Sequence, residues 1–135
     1  MGQLEPTQGI DLPAMRGEVI SAVRDLSDRA YQQRVWIDKK LPNPNYLASL
    51  TQVINVLYDD TLVLEDPAAT LGKILRSESE VSAMERLSSN LNALLEEVPE
   101  SEDDRPYLMS PRWSSVVSSA EAALRELLRK FPEVP

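Results

Sequence analysis

Residues 46–66, YLASLTQVINVLYDDTLVLED, decide how the fold is read. Leu47, Leu50, Val53, Ile54 and Leu57 recur three and four apart, the period of one helix face. That stripe runs into the adjacent acids Asp59 and Asp60. An apolar run from Leu62 to Leu64 follows and ends in a second acidic pair, Glu65 and Asp66. The pattern predicts a central helix from about Asn45 or Tyr46 to Tyr58, with the other helices packed around it. Asp59-Asp60-Thr61 breaks it. Leu62-Val63-Leu64 is short for a strand and no partner strand is evident, so it reads as an extended connection.

Toward the C-terminus, Asp66-Pro67 pairs an N-cap residue with proline at the first helical position, which predicts a short helix through Leu71, Ile74 and Leu75 despite Gly72. Ser77-Glu78-Ser79-Glu80 has the spacing of a capping box. It opens the clearest helix, with Val81, Met84, Leu87, Leu91, Leu94 and Val98 on one face and Pro99 as its stop. Glu100 to Pro106 reads as a charged, solvated loop. Ser110-Pro111 starts a last helix that carries Trp113, Val116, Val117, Ala120, Leu124, Leu127 and Phe131 before Pro132 ends it. The Val81–Val98 and Trp113–Phe131 helices form the strongest expected antiparallel pair.

Toward the N-terminus, Leu41-Pro42-Asn43-Pro44 must interrupt any helix, because two prolines two apart remove backbone donors and push the preceding residues out of the α region. Before it, Val19, Ile20, Val23 and Leu26 share a helix face behind Pro13. Ser27-Asp28 either caps a new helix or bends a long one that runs to about Lys40. Residues 1–12 lack periodicity and read as a mobile N-terminal arm ahead of a single α-helical domain over 13–132. The expected class is therefore all-α: one bundle of five or six helices, no sheet, and short Pro-rich connections.

The 135 residues suffice for one domain with its own core. Cysteine and histidine are both absent, which removes disulfides, the usual zinc, haem and iron–sulfur ligands, and any mechanism that needs a Cys nucleophile or a His base. No cofactor is expected. The net charge of −8 argues against nucleic acid and against anionic membrane surfaces, and suits a basic partner. Residues 1–12 show no signal-peptide pattern and no apolar run approaches a membrane-spanning length, so a cytoplasmic protein is expected.

Three groups could carry function. Asp59, Asp60, Glu65 and Asp66 place four carboxylates within eight residues, enough oxygen ligands for magnesium or manganese, although the spacing is not that of an EF-hand. The simpler reading has Asp59 and Asp60 ending one helix and Asp66 capping the next. Tyr58 beside these acids suits a basic protein surface, since tyrosine offers contact area at low entropic cost. Arg34 and Trp36, with Lys39 and Lys40, form a basic-aromatic patch that could grip a phosphate or stack a base. Alternatively Trp36 belongs to the core and the cations to a helix end.

Arg34-Val35-Trp36, Leu41-Pro42-Asn43-Pro44, Val56-Leu57-Tyr58-Asp59-Asp60-Thr61 and Asp66-Pro67 before Leu71-Gly72 resemble a family of small, acidic, uncharacterised bacterial proteins. The resemblance spans roughly Val19 to Trp113 and implies a bacterial cytosolic protein, without supplying catalytic residues. The expected function is a non-catalytic protein-binding module, of the immunity or antitoxin type, that inhibits a basic partner through Tyr58, Asp59, Asp60, Glu65, Asp66, Arg34 and Trp36. The alternative is a carboxylate-metal hydrolase that uses the acidic turn 59–66 with Arg34 as an anion clamp. A self-associating protein, with a helix face left for a twin, is a third possibility.

Overall fold

The structure is a computed structural model that describes residues 3–4, 10–40, 49–129 and 131–132, of which 3–4 and 131–132 are described by backbone alone. Helix α1 (Pro13–Ser27) begins with proline at its first turn, where the missing N–H has no intrahelical partner to lose. It buries Val19, Ile20, Val23 and Leu26, the predicted face. Just ahead of it, the Asp11 and Leu12 N–H groups donate to the Gly72 and Lys73 carbonyls at 3.1 and 2.8 Å. Residues 1–2 and 5–9 of the expected arm lie outside the described residues.

Asp28 caps rather than bends. Its backbone is extended and its carboxylate accepts the Tyr31 N–H at 3.0 Å, opening α2 (Arg29–Tyr31), which widens at once into a π-helical turn over Gln32–Ile37. The stop at Leu41–Pro44 lies outside the described residues. The central stretch forms α3 (Leu50–Ile54), again continued as a π-helical turn, Asn55–Asp60. The expected start moves. Asn45, Tyr46 and Leu47 are outside the described residues, but Ser49 is extended and its hydroxyl accepts the Gln52 N–H at 3.3 Å, which fixes the first turn at Leu50. The helix also runs past Tyr58, because Thr61 returns both its N–H and its hydroxyl to the Val56 carbonyl five residues back, at 3.1 and 2.7 Å.

Two local expectations fail for the same reason. Leu62-Val63-Leu64 is a tight turn rather than an extended link. Leu62 takes a left-handed φ of 63°, which drives Val63 and Leu64 into the core. After Asp66-Pro67, the helix is a single 3-10 turn, Pro67–Thr70, and does not reach Leu75. Gly72 sits at φ 87°, a conformation that suits glycine, and reverses the chain so that the Lys73, Ile74 and Leu75 N–H groups all point at the Thr70 carbonyl. In both places burying a pair of apolar side chains outweighs local periodicity.

Helix α4 (Glu78–Glu97) starts at the Ser77 cap, α5 (Arg105–Leu108) is a single turn, and α6 (Trp113–Leu128) closes the bundle. α4 and α6 are antiparallel, tied by Arg112–Glu97 at one end and by Arg76 donating to the Arg129 carbonyl at the other. α1 is antiparallel to α6 as well: Arg16 reaches the Leu127 carbonyl and Arg29 reaches Ser114. α6, not the 46–58 stretch, is thus the helix around which the others pack. It buries a broad face that includes Val116, Val117, Ala120 and Ala123, and the alanines let helices close in from both sides. α3 has only the narrow stripe Leu50, Val53 and Leu57. α6 ends at Leu128, short of Phe131. Arg129 is extended, and Phe131–Pro132 (β2) pairs antiparallel with Gln3–Leu4 (β1), Leu4 opposite Phe131, a two-residue ladder where no sheet was expected. The fold is all-α, with six helices around one hydrophobic cluster among the described residues.

Candidate partner-binding site

The two tryptophans belong to the core. Trp36 is 1 % exposed, with its ring edge-on to both Tyr31 and Trp113 at 6.3 Å between centroids. Trp113 donates its Nε1–H to Gln32 Oε1 at 3.0 Å, and the Gln32 amide donates to the Asp25 and Leu26 carbonyls that end α1. Trp36 is therefore not a contact for a partner, because its position in the first π-turn rotates it inward. Arg34 stays exposed, with its guanidinium 5.9 Å from the Tyr31 ring centre. The predicted basic-aromatic patch is thus split between core and surface.

The acidic turn is also dispersed. Asp59, Asp60, Glu65 and Asp66 are exposed, and Asp66 caps its 3-10 turn by accepting the Ala69 N–H at 3.3 Å. Tyr58 leans onto α4 and donates its hydroxyl to Asn92 Oδ1. Burial pushes its phenol upward, opposed by the Ser88 hydroxyl and reinforced by Glu65. Among the described residues no three carboxylates gather where they could hold a metal ion, and the four acids of the turn do not converge.

One member of the turn shares a cleft with other acids without gathering with them. Asp60 faces α1 across a cleft of about 410 Å³ that also takes in Glu18 and Asp25. Gln52 and Tyr31 line it with polar edges, and Val53 contributes apolar floor. The half-buried Asp25 carboxyl is pushed up to about 6, chiefly by burial; Arg24 opposes this and Asp28 adds to it. The site is built from one face of α1, Tyr31 at the entry to the first π-turn, Gln52 and Val53 of α3, and Asn55, Val56 and Asp60 of the second π-turn. Each π-turn inserts an extra residue per turn, a distortion often found where helices carry function. Glu18 and Asp25 are two helical turns apart and could have been paired from sequence. That they share a cleft with Asp60 could not have been read there.

Sequence reasoning missed two other charged residues. Asp104, expected in a solvated loop, is 3 % exposed and accepts the Leu50 N–H at 3.2 Å, so that α3 is capped from a distant segment as well as by Ser49. Burial raises its carboxyl, against the Leu50 hydrogen bond and Lys39. Arg16 and Glu80 form a fully buried bidentate pair, 2.7 Å on both arms. Arg16 also donates to the Ile74 and Leu127 carbonyls, and Glu80 accepts the Arg76 N–H. The capping-box spacing did mark Glu80, but its carboxylate leaves Ser77 for Arg16. Arg16 itself sits a helical turn before Val19 and Ile20, a charge on an apolar face, and that was the available signal.

Fold and cleft together define a small all-α module with an acidic recess between α1 and α3. The chain belongs to the family described as "Domain of unknown function (DUF7945)", whose model matches residues 10–134. No curated protein matches it, and no solved structure does. Among the described residues no helix is long and apolar enough to cross a membrane.

Proposed function

We propose that the protein is a non-catalytic protein-binding module whose acidic cleft receives a lysine or arginine side chain of a basic partner, in the manner of an immunity or antitoxin inhibitor. The observation that supports this reading is the half-buried Asp25, which shares with Glu18 and Asp60 a cleft that has no lysine or arginine in its lining. A guanidinium or ammonium placed among these carboxylates would favour the ionised form that burial disfavours, so partner binding and ionisation of Asp25 reinforce one another. Asp59, exposed and next to Asp60 in the chain, adds to the attraction at encounter. Tyr58, Glu65 and Asp66 border α4 and the 3-10 turn and are secondary contacts. A cytoplasmic setting and a bacterial source are part of the proposal.

Calorimetry with an arginine- and lysine-rich peptide at low salt tests it. Binding should weaken with salt, weaken as pH falls through about 6, and drop about tenfold or more in Asp25→Asn/Asp60→Asn. Affinity unchanged in that variant would sink the cleft as the site. Saturable magnesium or manganese binding, lost in Asp59→Asn/Asp60→Asn, would instead revive the hydrolase reading.

A further inference from the structure

A second recess lies on different helices and carries more arginine than acid. Between α4 and α6 runs a groove of about 680 Å³ bordered by Ser79, Ser82, Arg86 and Arg125, with Glu78 and Glu126 also in its lining and Glu126 paired to Arg129. Arg86, Ala122 and Arg125 also line a continuation of about 470 Å³ toward Asn90, Ser114 and Ser118. From Ser114 to Arg129 the α6 wall is about 22 Å long, at 1.5 Å per residue. The continuation has no acidic residue in its lining, in a protein whose net charge is −8. Arg16, Arg105, Arg112 and Arg129 are ion-paired, but Arg86 and Arg125 make no ion pair with any described residue. The floor is small and fixed: Asn90 donates to the Ser115 carbonyl and the Ser119 hydroxyl, at 3.3 and 3.1 Å.

We propose that this α4–α6 groove docks an acidic helix from a partner protein. Serine and alanine side chains let a third helix axis approach to the 8–10 Å typical of packed helices. Arg86 and Arg125 then meet its carboxylates in charge-assisted hydrogen bonds. Nucleic acid is disfavoured: the groove offers no aromatic ring for a base, and Trp36 and Trp113 are buried. A membrane is disfavoured as well, because no large apolar side chain lines the groove. No residue is shared with the acidic cleft, so this surface stands or falls separately.

The test is a nitrogen-15 NMR titration of the full chain with a stapled alanine helix bearing glutamates four apart, its glutamine counterpart, and a single-stranded oligothymidine. The glutamate helix should give saturable shifts confined to residues 79–90 and 114–129. Affinity should fall about tenfold or more for the glutamine helix and for Arg86→Gln/Arg125→Gln, and stay unchanged in Asp25→Asn/Asp60→Asn. Both arginines are exposed, so the double variant should melt as the parent does; if it melts early, Arg125→Gln alone serves. Absence of saturable shifts at millimolar peptide, shifts elsewhere, persistence in the variant, or tighter binding of the oligonucleotide overturns the proposal.

Discussion

The acidic turn over residues 59–66 and the Arg16–Glu80 pair are opposites. The turn is conspicuous in the sequence and its carboxylates lie in solvent, three of them outside the cleft. The pair is separated by 64 residues, inconspicuous, and wholly buried at the junction of α1, α4, α6 and the turn before α4. A charge in water is cheap to keep and contributes little to stability. A charge taken out of water must find a partner and further hydrogen bonds, and it then specifies which helices meet. Clustering of acids along the chain thus says little about where charge matters, whereas one arginine on an apolar face says a good deal.

The contrast is most exposed to failure at Glu80. Glu80→Gln leaves the Arg16 guanidinium buried without its counter-charge and should cost about 3–5 kcal/mol in urea unfolding. Arg16→Met/Glu80→Leu should recover most of that loss; if the single and double variants were equally destabilised, the ion pair would not be the cause. Trp113→Phe orphans Gln32 Oε1 and should cost about 2 kcal/mol, read from the same transitions. Asp104→Ala removes the remote cap of α3 at about 1 kcal/mol, with Asp104→Asn, which keeps an acceptor for the Leu50 N–H, milder.

Asp25 lies between the two extremes and makes the comparison sharper. Its folded value of about 6 exceeds the ordinary carboxylate value of 3.8, so the folded state holds its proton more tightly than the unfolded one. The stability that follows is complete below about pH 4 and is lost as pH rises through about 6. Asp25→Asn should remove that slope and gain about 1 kcal/mol at pH 7, a figure reduced because the carboxyl is only half-buried. Thermal melts from pH 4 to 8 check it; a parallel pH profile for the variant would mean that the carboxyl is solvated. At the small end, Asp59→Asn should change stability by less than about 0.5 kcal/mol, as befits an exposed acid.

Much of the fold was legible. Helical periodicity marked α1, α4 and α6, and capping residues marked Asp28, Asp66 and Ser77, because hydrogen bonds over three or four residues are written in the local sequence. Pro13 at the head of α1 was legible on the same grounds. The site was less so. Asp60 was singled out, but for its neighbours in sequence rather than for Glu18 and Asp25, and Trp36 was left open between a basic-aromatic patch and the core, a choice that the π-turn makes by rotating it inward.

The sequence by itself determined that the protein is helical, where α1, α4 and the 3-10 turn begin, and that it lacks cysteine and histidine chemistry. All of these depend on residue type and on spacings of a single turn. The tertiary structure alone decided that α6 is the central helix, that Arg16 finds Glu80, that Asp104 caps α3, and that Asp25 and Asp60 line one cleft. Each depends on which segments, tens of residues apart, are brought together when apolar faces are buried, and local periodicity does not encode that choice.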